Sequence, residues 1–301
     1  MKAIVYREFG PPDVLELVDV KRPEPGAEEV LVKVHAASVT YSDWSYVRGR
    51  PLLVRLIDAG LFRPKHPIPG DDIAGQVAAV GHSVDQFQPG DQVFSDLSGF
   101  GRGGFAEYAI APAQALAPMP VNLTYEEAAA VPSAAFVALQ GVRDKGKIQA
   151  GEQVLIVGAS GGIGAFAAQI AKAYGATVTA VCSTRNLERM HALGVDHMID
   201  YTREDFTRNG QDYDLVFAIV GDHSIFDYRR TLSPTGRLVV SGGSGAQYFQ
   251  AMLLGPLLSS ADGKQMGVMY MQPNQADLLF VKELIEAGQF HPVIDRVYPL
   301  A

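Results

Sequence analysis

Three stretches of this chain gather side chains whose types and spacing could do chemistry. In Pro67-Ile68-Pro69-Gly70-Asp71-Asp72-Ile73-Ala74-Gly75, two carboxylates stand side by side after a Pro/Gly turn. Adjacent acids are candidates for a metal site, an acid/base pair or ordinary turn chemistry. Successive residues of an extended segment point to opposite faces, so Asp71 and Asp72 are poorly placed to share a proton or chelate one ion. No further acidic cluster completes the oxygen shell of a hard cation, and both residues also suit a turn in which Asp accepts from backbone N–H groups. The second stretch, Thr40-Tyr41-Ser42-Asp43-Trp44-Ser45-Tyr46, offers hydroxyls on Thr40, Tyr41, Ser42 and Tyr46 that could donate to an oxygen gaining negative charge. Tyr41 and Trp44 read equally as surface packing.

The third stretch, Gly158-Ala159-Ser160-Gly161-Gly162-Ile163-Gly164, lies between an apolar strand ending at Val157 and a helix beginning near Ile163. Strand–turn–helix is the context that gives a glycine-rich match its weight. Ala159, Gly161 and Gly164 occupy the three small-residue slots of a dinucleotide fingerprint. Gly161 lets the backbone approach a pyrophosphate, Gly164 permits close helix–strand packing, and N–H groups across Ser160, Gly162 and Ile163 face the anion. A tight turn without a ligand is the alternative. A carboxylate about 20 residues on would bind a ribose 2′-OH. The chain instead reads Cys182-Ser183-Thr184-Arg185-Asn186, with two hydroxyls and a guanidinium that suit a 2′-phosphate. NADPH is therefore expected over NADH, with Tyr201 a further donor and with Val220, Ser241 and Gly242 completing the cofactor set; a solvated Arg185 is the alternative.

Elements that could position these residues fall into two grammars. The first ~120 residues alternate short β-rich runs with Pro/Gly punctuation, Val30, Val32 and Val34 marking one strand face. Thr124 and Glu127 then form a capping box before an alanine-rich run. Beyond it, strands at 153–159, 177–183, 197–200, 214–220 and 236–243 alternate with helices near 162–174, 186–193 and 224–232. Such alternation implies a parallel, doubly wound sheet buried on both faces. The expected fold is α/β, with residues 1–123 and 289–301 forming a substrate domain and 124–288 a Rossmann dinucleotide-binding domain.

The 301 residues are 48% hydrophobic and 19% charged, the composition of a folded protein, and the net charge of −8 with no Lys/Arg block argues against a nucleic-acid partner. Cys182, the single cysteine, excludes an internal disulfide framework and a multi-cysteine metal site. The opening apolar run is too short for a secretory signal. Residues 153–171 are uncharged, but four glycines interrupt them, so no membrane partner and a cytoplasmic location are expected.

In order, "MKAIVY", "EVLVKVHAASV", "GDDIAGQVAAVG", "PGDQVF", "GGFAEY", "AAAVP" and "GASGGIG" resemble the medium-chain dehydrogenase/reductase family across essentially the whole chain. A short-chain dehydrogenase is set aside because the loop lies mid-chain and no Tyr has Lys four positions later. The sequence is most similar to the zinc-free quinone oxidoreductase branch, which implies a GroES-like first domain and NADPH-driven reduction of a quinone or activated enone. Thr40, Asp71 and Ser133 match the positions where alcohol-dehydrogenase relatives place Cys, His and Cys on zinc, and such a trio binds Zn²⁺ poorly. The resemblance makes Asp71-Asp72 the relic of a zinc-binding turn, with Asp71 accepting hydrogen bonds near the cleft and Asp72 packed behind it. It makes Ser42 a proton relay and Asp43 an orienting group for backbone or Arg48. Catalytic candidates are thus Tyr41, Thr40, Ser42, Tyr46 and Asp71, with no metal. Val137 and Ala218-Ile219-Val220-Gly221 depart from the family pattern near the nicotinamide ribose. The apolar run 52–62 either roofs a pocket for a hydrophobic acceptor or caps the β domain. Residues 251–258 read as a lid or interface element, and 264–272 as the family's edge strand, which pairs across a two-fold axis in a homodimer. "HPVIDRVYPLA" begins a return to the first domain that family members complete with a helix and a strand, so the expectation is either a chain truncated at Ala301 or a further tail that the numbering omits. A zinc-dependent alcohol dehydrogenase and a non-catalytic NADPH sensor or scaffold are the competing functions.

Overall fold

The computed structural model describes residues 1–259 and 263–300, apart from the side chains of Leu53 and Ile57. Those two side chains of the 52–62 run, and Ala301 at the chain end, lie outside the described residues. Contacts divide the chain into two compact units: residues 1–133, 273–286 and 292–301 form one, and 134–272 with 287–291 form the other.

The first unit is built on antiparallel strands. β1 (Lys2–Val5) pairs β2 (Glu16–Asp19) in a ribbon. β3 (Glu29–Ala37), β4 (Asp72–Val80), β5 (Gln92–Asp96), β6 (Tyr108–Pro112) and β7 (Ala117–Pro118) form a five-stranded sheet in the order β6-β3-β4-β5-β7. Val30 and Val32 enter its core with Ile73, Val77, Val93 and Leu97, as period-2 patterning dictates. Between β3 and β4 run α1 (Tyr41–Arg48) and α2 (Leu52–Val54), the latter continuing as a π-helical turn over Arg55–Ala59. α3 (Tyr125–Ala129) begins at the predicted capping box, Thr124 Oγ1 accepting from Glu127 N–H at 3.3 Å.

The second unit starts with α4 (Pro132–Leu139), whose first two residues belong to the first, and carries a six-stranded sheet. β8 (Gln153–Val157), β9 (Thr177–Cys182), β10 (His197–Asp200), β11 (Tyr213–Ala218), β12 (Leu232–Val240) and β13 (Gln265–Val268) lie in the order β10-β9-β8-β11-β12-β13, every pair parallel. Helices α5 (Gly162–Ala173), α6 (Leu187–Ala192), α7 (Ile225–Arg230) and α8 (Gly245–Ser259) make the crossovers that parallel strands require. Leu155, Ile156, Val216 and Phe217 are wholly buried, in keeping with a sheet covered on both faces. The uncharged run 153–171 is thus a strand, a turn and a helix. Among the described residues, no helix is long and apolar enough to cross a membrane.

The observed division differs from the expected boundaries at 123/124 and 288/289. α9 (Gln275–Glu286), expected in the second domain, packs with the first unit. Gln275 Nε2 donates to the Leu116 carbonyl at 2.6 Å, and Glu286 accepts from Val121 N–H at 3.0 Å. Ser133 belongs to the first unit through its bonds to Asp72 and Asp96. Amphipathic spacing shows that a helix buries one face, not which sheet it covers.

Candidate active site

A groove of about 760 Å³ opens at the carboxyl end of the parallel sheet, lined by residues that follow β8, β9, β10 and β11. Strand order reverses between β8 and β11, and open parallel sheets bind ligands at such a switch point. The turn from β8 into α5 is shaped for close approach. Gly158 has φ 92°, and a Cβ there would meet Val220 Cγ2 at 2.5 Å. A Cβ on Gly164 would stand 2.3 Å from the Gly158 carbonyl oxygen. Gly161 is the N-cap of α5 and no side chain caps that helix, so its first N–H groups are open to an anion. The cradle fits a pyrophosphate.

Of the residues expected from sequence, Ser160, Gly161, Ser183, Arg185, Tyr201 and Val220 line the groove. Ala159 is wholly buried beneath the turn, and Gly162, Ile163 and Gly164 form the first turn of α5. Thr184 is turned away: its Oγ1 donates to Asp200, which also accepts from Thr202 N–H at 3.0 Å and Thr202 Oγ1 at 2.7 Å. These donors, Thr184 first, hold the Asp200 carboxyl below its usual range. Ser241 and Gly242 follow β12, outside the lining; the Gly242 carbonyl accepts from Gln247 at 2.9 Å, and Ser241 Oγ is buried without a hydrogen-bond partner. Asn186 and Arg203 also line the groove. Asn186 Nδ2 donates to Ser160 Oγ at 3.0 Å and to Ser183 Oγ at 3.2 Å, tying the turn to the tip of β9. Asn186, in the 3-10 turn ahead of α6, and Arg203, in the turn after β10, carry no periodic pattern that marks them in the sequence.

The first unit holds a second polar centre. Asp71 is fully buried and ion-paired with Arg102, whose side chain is equally enclosed. The Arg102 guanidinium lies 3.4 Å from the centre of the Tyr46 ring, and its Nη1 is 3.4 Å from Ser42 Oγ. Arg102 has φ 63°, in the region that favours glycine, and it follows Gly101 in a glycine-rich loop. Tyr46 donates its phenol proton to Asp58 at 3.3 Å. Burial pushes the Tyr46 pKa up, opposed by the Arg102 charge.

Asp43 orients backbone as expected, although through Thr40 and Gly70 and not Arg48. It accepts from Thr40 N–H at 2.8 Å, Thr40 Oγ1 at 2.7 Å and Gly70 N–H at 3.0 Å. Thr40 Oγ1 accepts in turn from Asp43 N–H, closing the capping box of α1. Burial and then the Asp71 charge push the Asp43 carboxyl up to about 6. Arg48 instead lies over the Trp44 ring, 4.9 Å from its centre. Tyr41 is 75% exposed and stacks on Trp44 at 5.3 Å, so its ring is presented to solvent. His35 stacks on Tyr125 and His66 lies 3.3 Å from Asp58, both structural roles.

Asp72 faces away from Asp71, as alternation requires. Its strand register pairs it with Asp96, and Ser133 Oγ lies 2.6 Å from Asp72 Oδ1 and 3.0 Å from Asp96 Oδ2. One hydroxyl proton cannot serve two carboxylates, so both contacts become hydrogen bonds only if one acid keeps its proton. Burial first, and then the charge of Asp96, drive Asp72 well above the ordinary carboxylate range, and burial raises Asp96.

Thr40, Asp71 and Ser133 do not compose a zinc site. They offer no sulfur or imidazole, and each side chain is already engaged: Thr40 in a helix cap, Asp71 through Oδ1 with Arg102, Ser133 with two carboxylates. Among the described residues no group of three or more His, Cys, Asp or Glu could hold a metal ion. Arg102 was missed in the sequence; its only signal was a cation flanked by glycines in "GFGRGGF".

Residues 26–121 match the family model of the alcohol dehydrogenase GroES-like domain, and 193–301 match that of the zinc-binding dehydrogenases. The chain is 32% identical to the chloroplast envelope quinone oxidoreductase homolog of Arabidopsis thaliana, over all of this chain and 92% of that protein. It is 35% identical to the NADPH-dependent alkenal/one oxidoreductase of the same plant, over 73% of this chain and 58% of that one. The solved quinone oxidoreductase of Coxiella burnetii superposes with a TM-score of 0.88 at 29% identity, covering 100% of this chain and 92% of its own.

Two outcomes test the polar centre. Arg102→Met strands the Asp71 carboxylate and is expected to cost about 3–5 kcal/mol, most of it recovered by adding Asp71→Asn. Urea denaturation of the four proteins in the cycle reads the coupling, and strictly additive losses would show that the two do not act as a pair. Since the folded state holds the Asp72–Asp96 proton above the ~3.9 of free aspartate, the stability this proton confers is present in acid. It is lost as pH rises from about 4 through the raised folded value. Asp96→Asn, which can donate to Ser133 Oγ without ionising, is expected to flatten that fall; an unchanged slope of unfolding free energy against pH would refute a shared proton.

Proposed function

The chain belongs to the medium-chain dehydrogenase/reductase family, in its quinone oxidoreductase branch, and on that basis we propose a NADPH-dependent, metal-independent reductase of quinones or α,β-unsaturated carbonyls. The observation that carries this reading is the Arg102–Asp71 pair. At the position where zinc relatives place a ligand, the carboxylate already holds a cation supplied by the chain itself. The similarity to relatives named for quinone and for alkenal/one reduction supports the same acceptor class.

Bound in the groove, NADPH supplies the hydride. The open N–H groups at the start of α5 receive its pyrophosphate, and Ser183 with Arg185 receives the 2′-phosphate. Without a Lewis acid, an isolated ketone or alcohol is poorly activated. A conjugated acceptor develops its charge on an enolate or hydroquinone oxygen, which hydroxyl donors can stabilise and protonate. In this reading Tyr41, Ser42 and Tyr46 are those donors. Arg102, against Ser42 Oγ and the Tyr46 ring, favours the anion either leaves on giving up its proton. Thr40 and Asp71 act through others, Thr40 by capping α1 and Asp71 by holding Arg102.

We place the enzyme in the cytoplasm, where a lone buried thiol, Cys182, stays reduced. A homodimer is supported by two features of the second unit. Among the described residues β13 ends the parallel sheet, paired with β12 alone, and Phe249, Leu253 and Leu257 leave apolar surface exposed on α8. Light scattering is expected to give twice the chain mass of 32.3 kDa; a monomer throughout the micromolar range would remove the dimer from the reading.

Oxidation of NADPH by a quinone or an enone, followed at 340 nm with EDTA present, tests the function. Turnover is expected to survive the chelator and to prefer NADPH to NADH. Arg185→Ala should raise KM for NADPH tenfold or more, roughly what one charge-assisted phosphate contact contributes, and leave NADH unchanged. Loss of activity on chelation would favour a zinc dehydrogenase, and intact NADPH binding with no turnover would favour a sensor.

A further inference from the structure

Two exposed apolar surfaces stand outside the sites described above, and charge separates them. α8 carries no charged residue from Gly245 to Ser259, a surface suited to a second copy. The run after α1 is different. Leu52 is 70% exposed, Leu56 67%, Leu61 51% and Phe62 85%. Leu52 and Leu56 stand about one turn apart on the helical stretch formed by α2 and its π-helical continuation.

Within residues 48–65 the chain sets Arg48, Arg50, Arg55, Arg63 and Lys65 against Asp58, in a molecule of net charge −8. Asp58 is already engaged by Lys65 at 3.2 Å, His66 at 3.3 Å and Tyr46 at 3.3 Å. Arg55 is anchored inward, donating to the Gly49 carbonyl and lying over Phe9, whereas Arg50 and Arg63 are exposed.

Single exposed apolar side chains are ordinary on a protein surface. Four in one short run, bordered by cations, have the composition of a segment that lies in a membrane interface. A second copy is a poor occupant, because apposing two such faces brings like charges together.

We propose that the face formed by Leu52, Leu56, Leu61 and Phe62, with Arg50 and Arg63, docks on the surface of an anionic lipid bilayer. The apolar side chains enter the boundary between headgroups and acyl chains, and the guanidinium groups meet lipid phosphates. Such an element lies on a membrane without crossing it, which revises, for this surface, the expectation of no membrane partner. Where the reductase reading holds, docking also names the acceptor class more closely: a quinone carrying an apolar chain that partitions into lipid. That last step rests on the proposed function; the docking does not.

Co-sedimentation of the full chain with vesicles tests the docking directly. Equal parts phosphatidylglycerol and phosphatidylcholine are compared with phosphatidylcholine alone. The chain is expected to pellet with the anionic vesicles, not the neutral ones, and to release as NaCl rises. Leu56→Ser with Phe62→Ser should abolish pelleting. Arg50→Gln with Arg63→Gln should weaken it about 25-fold, roughly fivefold for each cation removed. Unchanged thermal melting of both variants shows that the fold is intact. No pelleting with anionic vesicles, equal pelleting with neutral ones, or variants that bind like the wild type would overturn the proposal. So would self-association without lipid that Leu56→Ser with Phe62→Ser removes, because the face would then belong to a second copy. NADPH oxidation by a water-soluble quinone is a separate measurement on the wild type; its failure would refute the reductase and leave the docking result standing.

Discussion

A guanidinium buried against a buried carboxylate is the interaction around which the first unit is arranged. Removing two charges from water costs several kcal/mol per ion, and a pair recovers this only with good geometry and further bonds. Here the recovery is incomplete: Asp71 Oδ2 and Arg102 Nε are buried without hydrogen-bond partners. The face of Tyr46 takes up part of the guanidinium charge, and Ser42 Oγ stands at the edge of hydrogen-bonding reach. Arg102 also adopts a left-handed backbone conformation, which only a loop as glycine-rich as residues 99–104 readily surrounds. A pair this costly is not the cheapest way to fill a core. Its place beside two candidate donors gives it a chemical use that an apolar substitute would lack.

The second unit solves a different electrostatic problem with backbone instead of side chains. Its turn keeps Cβ atoms away, since at Gly158 and Gly164 a methyl group would collide with Val220 or with the turn's own carbonyl. What remains is a row of N–H groups at the end of a twelve-residue helix, a fixed partial positive charge that needs no counterion. Specificity then falls to the strand tips. Asp200, an acid at the end of β10, is occupied by Thr184 and Thr202, and no acid follows β9. Arg185 stands at the tip of β9, where no acid does, while Arg203, 3.5 Å from Asp200, shares the rest of the rim with Glu204, Asp205 and Asp222.

Much of this was legible in the sequence, and the misses share a cause. Hydrophobic periodicity located the strands: 197–200 falls on β10, and the predicted 153–159 and 177–183 contain β8 and β9. Thr124-x-x-Glu127 gave a helix start because a capping box is a local rule. The opposed faces of Asp71 and Asp72 followed from strand geometry alone. Arg102 and Asp96 carry no local signal because their partners, Asp71 and Ser133, lie 31 and 37 residues away, in tertiary contacts that no local pattern encodes. Thr184 illustrates the converse: its type suited a phosphate, but a carboxylate from a neighbouring strand claimed its hydroxyl. α9 groups by contacts with the first unit and not with the expected second, because its amphipathic face does not specify which surface it covers.

A cation built from the chain differs from a metal in a way that limits the chemistry. A metal keeps an open coordination position and can bind the oxygen on which charge develops. Arg102 is buried, so on the proposed function it acts through a neighbouring hydroxyl and cannot itself grip a carbonyl. Hydroxyl groups are weak acids, and a hydroxyl donor gives little help to an oxyanion that must carry a full localised charge. An acceptor whose own conjugation spreads that charge asks least of such donors. On the proposed function, the link between a glycine-flanked arginine and a quinone or enone acceptor is therefore physical: with the cation one step removed from the reacting atoms, the substrate would supply through delocalisation what a Lewis acid supplies by direct contact.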